Sequence, residues 1–361
     1  MTRDTATKQS RRSVLSLGAK AAAVAGVASL AAPFSRAAAA GNSAVVCLYL
    51  IGGNDSNNLI VPLDSPAYDL YARGRGTLAI PQSDLLDVYA TNGASRYGFH
   101  PSLPGLRDLY NQGVLAVLAN VGRIDTPLTQ AQIRSNSNTL PENLFLHTGA
   151  AEIGYAPNGY LTLPWADGGG SLFRLKHGVT LTSANGRPAT GSPFETTFPS
   201  TRTGRQLANV AGILLRGVHH QAFVCPVDGF DTHADQLAQQ TALFTELNDA
   251  IVAFYGALQD LGIADRVTLF TQTEFNRALA PNARGGTEHG WGGHELIVGR
   301  SVIGGQVYGR FPSLELGGAD DAGNSGIWIP STALGQYTAT LARWYGADVR
   351  GNFAGQTLAF L

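Results

Sequence analysis

The run Ser43–Ile51 is apolar almost without interruption and stops abruptly at Gly52-Gly53-Asn54-Asp55-Ser56-Asn57-Asn58. A strand with one solvated face would alternate polar and apolar residues. An unbroken run predicts a strand buried on both faces, feeding a glycine-rich turn. The pattern recurs at Val114–Val121, behind a helix-like stretch Leu103–Gln112. It recurs again at Gln221–Val227, ending in Asp228-Gly229-Phe230-Asp231-Thr232-His233, and at Val267–Thr271, ending near Thr273-Glu274. Between the last two, Leu243, Leu247, Ile251, Phe254, Leu258 and Leu261 recur at three- and four-residue spacing, which predicts a long amphipathic helix stopped at Gly262. Leu334–Tyr345 reads as another helix, with Tyr337, Leu341 and Trp344 on one stripe. Alternating buried strands and helices predict an α/β fold with a mostly parallel central sheet and helices on both faces. That sheet is expected to contain residues 44–51, 114–121, 222–227 and 266–272. Residues 160–205, rich in Gly, Ser, Thr and Pro, read as a loop-rich insertion or lid within one domain spanning 41–361.

The N-terminus has a different character. Ser10-Arg11-Arg12-Ser13-Val14-Leu15 precedes the apolar stretch Ala21–Ala32 and the small residues Ala37-Ala38-Ala39-Ala40. A twin arginine, a short apolar region and a small-residue cleavage site together predict a twin-arginine export signal over 1–40, and a periplasmic or secreted mature protein. The apolar stretch is about a dozen residues against the roughly 20 that a bilayer span needs, so stable membrane insertion is not expected. Removing this segment takes away Arg3, Lys8, Arg11, Arg12, Lys20 and Arg36 but only one acid, Asp4. The mature chain is therefore acidic and keeps no basic run, which argues against nucleic acid as a partner. Cys47 and Cys225 both sit in expected buried strands. They read as small hydrophobes, with a disulfide as the alternative if the two strands are neighbours.

In parallel sheets the ligand sits beyond the carboxyl ends of the strands. Asp55 follows the first buried run, Asp231 and His233 the third, and Glu274 the fourth. The glycine-rich segment Gly285-Gly286-Thr287-Glu288-His289-Gly290-Trp291-Gly292-Gly293-His294 adds carboxylate and imidazole on what reads as a flexible loop. Convergence of Asp55, Asp231, His233, Glu274, His289 and His294 at one sheet edge would offer oxygen and nitrogen ligands to a divalent metal. Zinc suits such a set, as do manganese or calcium where carboxylates dominate. The structural alternative for each residue is a loop cap, with Asp231 accepting backbone N–H bonds ahead of the following helix.

Several segments, in this order, resemble one bacterial family. They are Gly52-Gly53-Asn54-Asp55, Gly229-Phe230-Asp231-Thr232-His233-Ala234-Asp235-Gln236, Thr273-Glu274-Phe275-Asn276-Arg277, Gly286-Thr287-Glu288-His289-Gly290-Trp291-Gly292, and Ile329-Pro330-Ser331-Thr332 through to Gly346. The family is domain of unknown function 1501, which is similar in fold to alkaline phosphatases and sulfatases. The resemblance runs from about residue 44 to 348. It implies an exported metal-assisted hydrolase of phosphate or sulfate esters. Asp55 then resembles the first metal ligand of the superfamily, Asp231 with His233 the second pair, and His289 the last. Glu274-Phe275 stands where the superfamily has Asp-His, and Phe275 cannot bind a metal. Thr148, in Leu144-Phe145-Leu146-His147-Thr148-Gly149, matches the position of a hydroxyl nucleophile, with His147 expected to point away from it. Arg277 is the candidate for stabilising developing negative charge. The alternative is a catalytically degenerate relative that binds a partner protein or a cell-surface polymer through the same crevice.

Overall fold

The computed structural model describes residues 42–91, 95–135, 140–141, 144–147, 194–218, 221–347 and 356–361, together with backbone strands at 160–161, 173–174 and 179–181. The export segment 1–40, Thr148 and most of the expected insertion 160–205 lie outside the described residues.

The central sheet has eight strands: β1 (Ala44–Leu50), β2 (Leu115–Gly122), β3 (Val179–Leu181), β4 (Gln221–Val227), β5 (Val267–Thr273), β6 (Gly293–Val298), β7 (Val307–Tyr308) and β8 (Thr332–Ala333). Their order is β7-β2-β6-β5-β1-β4-β3, with β8 also pairing β2. The first apolar run sits at the middle of this sheet. Val46 of β1 lies opposite Leu269 of β5 and Phe223 of β4, both pairings parallel. All seven residues of β1 are buried, which is why its sequence shows no alternation.

The helices are α1 (Ala67–Arg75), α2 (Pro104–Asn111), α3 (Gln130–Ser135), α4 (Arg202–Leu214), α5 (Gln236–Asp260) and α6 (Leu334–Tyr345). On one face of the sheet Val46, Leu48, Val117, Phe223 and Leu269 pack with Leu106 of α2, Leu207 of α4 and Phe244, Leu247, Ile251 and Phe254 of α5. On the other, Val45, Tyr49, Leu118, Val224 and Phe270 pack with Tyr337 and Leu341 of α6. The expected stripe of α5 is thus its core face. Leu243 is only partly buried, and Leu261 caps the helix rather than extending it. No helix among the described residues is long and apolar enough to cross a membrane.

One expectation needs correction, and the alternative set beside the buried reading of the cysteines falls away. Residues 293–298 were expected to begin in a flexible loop, but they form β6, antiparallel to both β5 and β2. The chain leaves β5 at the carboxyl edge and turns straight back beside it, a path that needs no crossover helix. A disulfide is also excluded: Cys47 and Cys225 are on neighbouring strands, but Cys47 faces the α6 side and Cys225 the α5 side. Side chains one register apart point to opposite faces of a sheet, so the two cysteines are not bonded to each other, and both are buried. Burial, with Glu295 and Cys225 adding to it, pushes the Cys47 thiol well above its ordinary range.

Candidate metal centre

The loops after β1 and β4 are pressed together at the carboxyl edge. Ile51 donates its N–H to Val227 O (2.8 Å) and Phe230 donates its N–H to Ile51 O (3.0 Å). Gly52 sits at φ +114°, and a Cβ there would lie 2.3 Å from the backbone nitrogen of Asp231. Only glycine lets these loops approach so closely. Gly52→Ala is expected to destabilise the protein by about 1–3 kcal/mol and to displace Asp231, because both the φ and the contact are refused to a side chain. Chemical denaturation checks this, and an unchanged midpoint would refute it.

Asp231 is the hub. Its Oδ1 accepts a hydrogen bond from Arg277 Nη1 (2.9 Å) and lies 2.8 Å from His233 Nδ1 and 3.3 Å from His289 Nε2. Its Oδ2 lies 3.6 Å from His147 Nε2. Burial alone would push the Asp231 carboxyl up. The Arg277 hydrogen bond, the charges of His233 and Arg277 and the bond from His289 outweigh it, so the group sits below the usual carboxylate range. His233 is held below its ordinary value by burial and by Arg277, against the pull of Asp231.

The tautomer of His289 follows from the partner on the far side of its ring. His289 Nδ1 lies 2.8 Å from the carbonyl oxygen of Phe145, which can only accept, so Nδ1 carries the proton. His147 lies between two carboxylates, its Nδ1 3.4 Å from Glu274 Oε1 and its Nε2 3.6 Å from Asp231 Oδ2. Each ring therefore turns its Nε2 toward the same carboxylate, an atom that donates to Asp231 when protonated and offers a lone pair to a cation when it is not. A tetrahedral zinc with bonds of about 2.0–2.2 Å holds its ligand atoms roughly 3.4 Å apart, and the Nε2–carboxylate distances here are 3.3 and 3.6 Å. His147, Asp231 and His289 form the group of metal-ligating side chains among the described residues, their ligand atoms all within 4.8 Å of one another. Imidazoles backed by a carbonyl and a carboxylate are the usual outer arrangement of such centres. The side chains of Asp231 and His147 are 47% and 38% exposed and that of His289 18%, so the group opens to solvent on one side. The donor set fits a divalent cation with a position left over for a ligand.

The expected site residues divide around this group. Asp231 and His289 are in it. His233 flanks it, its ring 4.9 Å from that of His289 and its Nε2 3.6 Å from Glu288 Oε2. Glu274 stands behind His147 rather than beside it, accepting the Gly52 N–H through Oε2 at 2.6 Å. Three expectations are corrected. Asp55 is enclosed elsewhere: Arg75 Nη2 and Gln236 Nε2 each donate to its Oδ2 at 2.5 Å, so a guanidinium supplies the cation that a metal would have been. His294 lies inside β6, stacked on Phe311 with ring centroids 4.2 Å apart, and its Nδ1 accepts the Asn120 N–H. Burial drops it to about 3, so it is a neutral core residue. Arg277 has a side chain 0% exposed, and its donors go to Thr287, Gly52 and Asp231. It cannot reach a substrate anion. His147, expected to point away, is the member of the group that sequence reasoning missed. Its imidazole in a segment next to a hydroxyl was a signal, but nothing local showed which way it faced. Phe275 stacks on His289 (4.3 Å) and lies 5.1 Å from His147, filling the flank where its sequence position had suggested a second ion's ligand.

Residues 200–324 match a family model, described as protein of unknown function (DUF1501). That segment holds Asp231, His233, Glu274, Arg277 and His289, whereas His147 comes from outside the matched DUF1501 residues. No curated protein matches the chain. Among solved structures, a protein in the alkaline phosphatase superfamily from Vibrio parahaemolyticus is similar at 11% identity and a TM-score of 0.39, over 89% of this chain and 70% of that one. The lipoteichoic acid synthase LtaP from Listeria monocytogenes is similar at 9% identity and a TM-score of 0.39, over 89% and 76%. The C-terminal periplasmic domain of EcEptC from Escherichia coli, in complex with Zn, is similar at 10% identity and a TM-score of 0.32, over 73% and 75%.

Proposed function

We propose that this protein is an exported, metal-dependent hydrolase of phosphate or sulfate esters. The observation that supports it is the convergence of two imidazole Nε2 atoms, from His147 and His289, on the partly exposed carboxylate of Asp231. His147, Asp231 and His289 would hold a divalent cation, which would supply Lewis acidity toward an ester oxygen and lower the pKa of a nearby hydroxyl. The protein's own groups do the rest. Arg277 and His233 hold Asp231, Glu274 and the Phe145 carbonyl partner the far nitrogens of the two imidazoles, and His233 is the general acid or base in this reading. Thr148, the chain neighbour of His147, is the nucleophile in this reading. Arg277 is buried and satisfied, so the positive charge offered to an anionic ester has to come from the metal.

Elemental analysis of the purified protein, with hydrolysis of p-nitrophenyl phosphate and p-nitrophenyl sulfate, tests the proposal. Wild type is expected to hold a divalent metal, and Asp231→Ala and His147→Ala to lose both metal and turnover while staying folded. Absence of metal after incubation with zinc, manganese and calcium would overturn the reading. Phe275 favours a second reading, binding of a polymer or partner protein without turnover, since its ring excludes a further ligand beside His289. Metal retained with no hydrolysis of either ester would move the conclusion there.

Export in this reading depends on Arg11-Arg12, because the twin-arginine machinery reads that pair. The Arg11→Lys, Arg12→Lys double variant is expected to accumulate as cytoplasmic precursor in cell fractionation. Normal export of that variant would refute this route.

A further inference from the structure

The enclosed carboxylate of Asp55 and the solvent-facing carboxylate of Asp231 are joined by a chain of side chains whose hydrogen bonds run outward from Arg277, which donates toward both ends. Gln236 Nε2 donates to Asp55 Oδ2 (2.5 Å), so the other end of that amide must be its acceptor. Thr287 Oγ1 donates to that acceptor, Gln236 Oε1, at 2.6 Å. Having given its proton there, the Thr287 hydroxyl can only accept, and it does so from Arg277 Nε at 3.0 Å. Arg277 Nη1 then donates to Asp231 Oδ1 at 2.9 Å. Gln236, Thr287 and Arg277 are all fully buried, so water does not compete for these bonds.

Each link comes from a different segment. Asp55 is in the loop after β1, Gln236 is the first residue of α5, Thr287 is in the glycine-rich loop before β6, Arg277 follows β5 and Asp231 follows β4. The Asp55 end is itself fixed, by Arg75 Nη2 and by the N–H and Nδ2 of Asn57. Only the Asp231 end is free to interact with anything outside the protein. There, Arg277 and His233 both engage Oδ1, on the edge that faces His289 Nε2 at 3.3 Å, while Oδ2 carries no hydrogen bond from them and is turned toward His147.

We infer that Gln236 and Thr287 are positioning residues for metal binding: by fixing the guanidinium of Arg277 they hold Asp231 with one oxygen committed to the protein and the other presented to the cation. This rests on the metal-centre reading and adds to it how the protein sets the centre's affinity. Outer partners of this kind are worth about 10–100-fold in metal affinity. The chain also gives Asp55 a role other than ligation: it is the fixed anchor from which the orientation of Asp231 is set.

The test is zinc affinity of the full chain, measured by competition with a chelating indicator, beside the urea unfolding midpoint of each variant. Thr287→Val removes both hydroxyl bonds at constant shape and is expected to weaken zinc by about 10–100-fold, and Thr287→Ser, which keeps the hydroxyl, to bind within about threefold of wild type. Gln236→Met breaks the chain one link further away and is expected to lose less, about tenfold. It also keeps the test decisive if Thr287→Val does not fold. Zinc bound equally by wild type, Thr287→Val and Gln236→Met would overturn the inference while leaving the metal centre standing. A serine variant as weak as the valine variant would overturn it too, since the hydroxyl would then not be what matters. No zinc binding by wild type would instead remove the metal centre, and the inference with it.

Discussion

Arg75→Met is expected to lower the stability of the fold by about 3–5 kcal/mol, the usual consequence of removing one member of a buried ion pair. Arg75 ends helix α1 with a side chain that is 0% exposed, and its partner Asp55 is 1% exposed. The guanidinium spends its donors on Asp55 Oδ2, on Asn58 Oδ1 (3.0 Å) and on the carbonyls of Ala278 and Leu279 (3.3 and 3.0 Å). Methionine fills similar space but leaves the carboxylate with only amide donors, and it orphans two carbonyl oxygens besides. The cost is therefore that of an uncompensated charge, not of a lost surface contact. Adding Asp55→Leu to Arg75→Met removes the stranded charge and is expected to recover part of the loss. Urea unfolding of the single and double variants decides it. A single variant within about 1 kcal/mol of wild type would mean that water reaches the pair.

A second large effect is expected at Glu295, where stability should fall as pH rises. Glu295 lies fully buried in β6, where Thr271 Oγ1 donates to its carboxyl at 2.6 Å. Burial pushes it up to about 8, against an ordinary value of 4.5, and the Thr271 bond only partly offsets this. In the unfolded chain the carboxyl releases its proton near the ordinary value, while the folded protein keeps it until about pH 8. Between those limits the unfolded state binds fewer protons, so each unit of rising pH favours unfolding, and the effect levels off above the folded value. At about 1.4 kcal/mol per pH unit, the accumulated penalty is on the order of several kcal/mol. Glu295→Gln has no proton to lose and Thr271 can still donate to its amide oxygen. The variant is expected to match wild type near pH 5 and to exceed it increasingly up to about pH 8. Urea midpoints of the two proteins that stay parallel between pH 5 and 8 would refute this.

Much of the scaffold was legible because burial on both faces leaves a local trace. The runs that became β1, β2, β4 and β5 are continuous apolar segments ending in glycine or acid, and the α5 stripe repeats at helical spacing. Strand β6 was not legible. Gly293-His294-Glu295 opens it with two ionisable residues, a pattern that reads as loop until both are buried between β2 and β5.

The site was legible in kind and misassigned in detail. That acids and imidazoles follow the strand ends is a sequence property, and Asp231 and His289 meet as a result. Which carboxylate faces solvent is not such a property. Asp55 and Asp231 both follow buried strands, yet Arg75 arrives from a helix that follows Asp55 in sequence and neutralises only the first. His147 reaches Asp231 from a segment outside the alternating strands and helices, and its direction depends on Glu274 behind it. Periodicity and burial act over a few residues, so most of the sheet, its helices and the edge at which polar groups gather can be read from residue order alone. Which of those groups are anchors and which face solvent depends on partners brought from distant segments and on the direction of each hydrogen bond between them, and so is set only on folding.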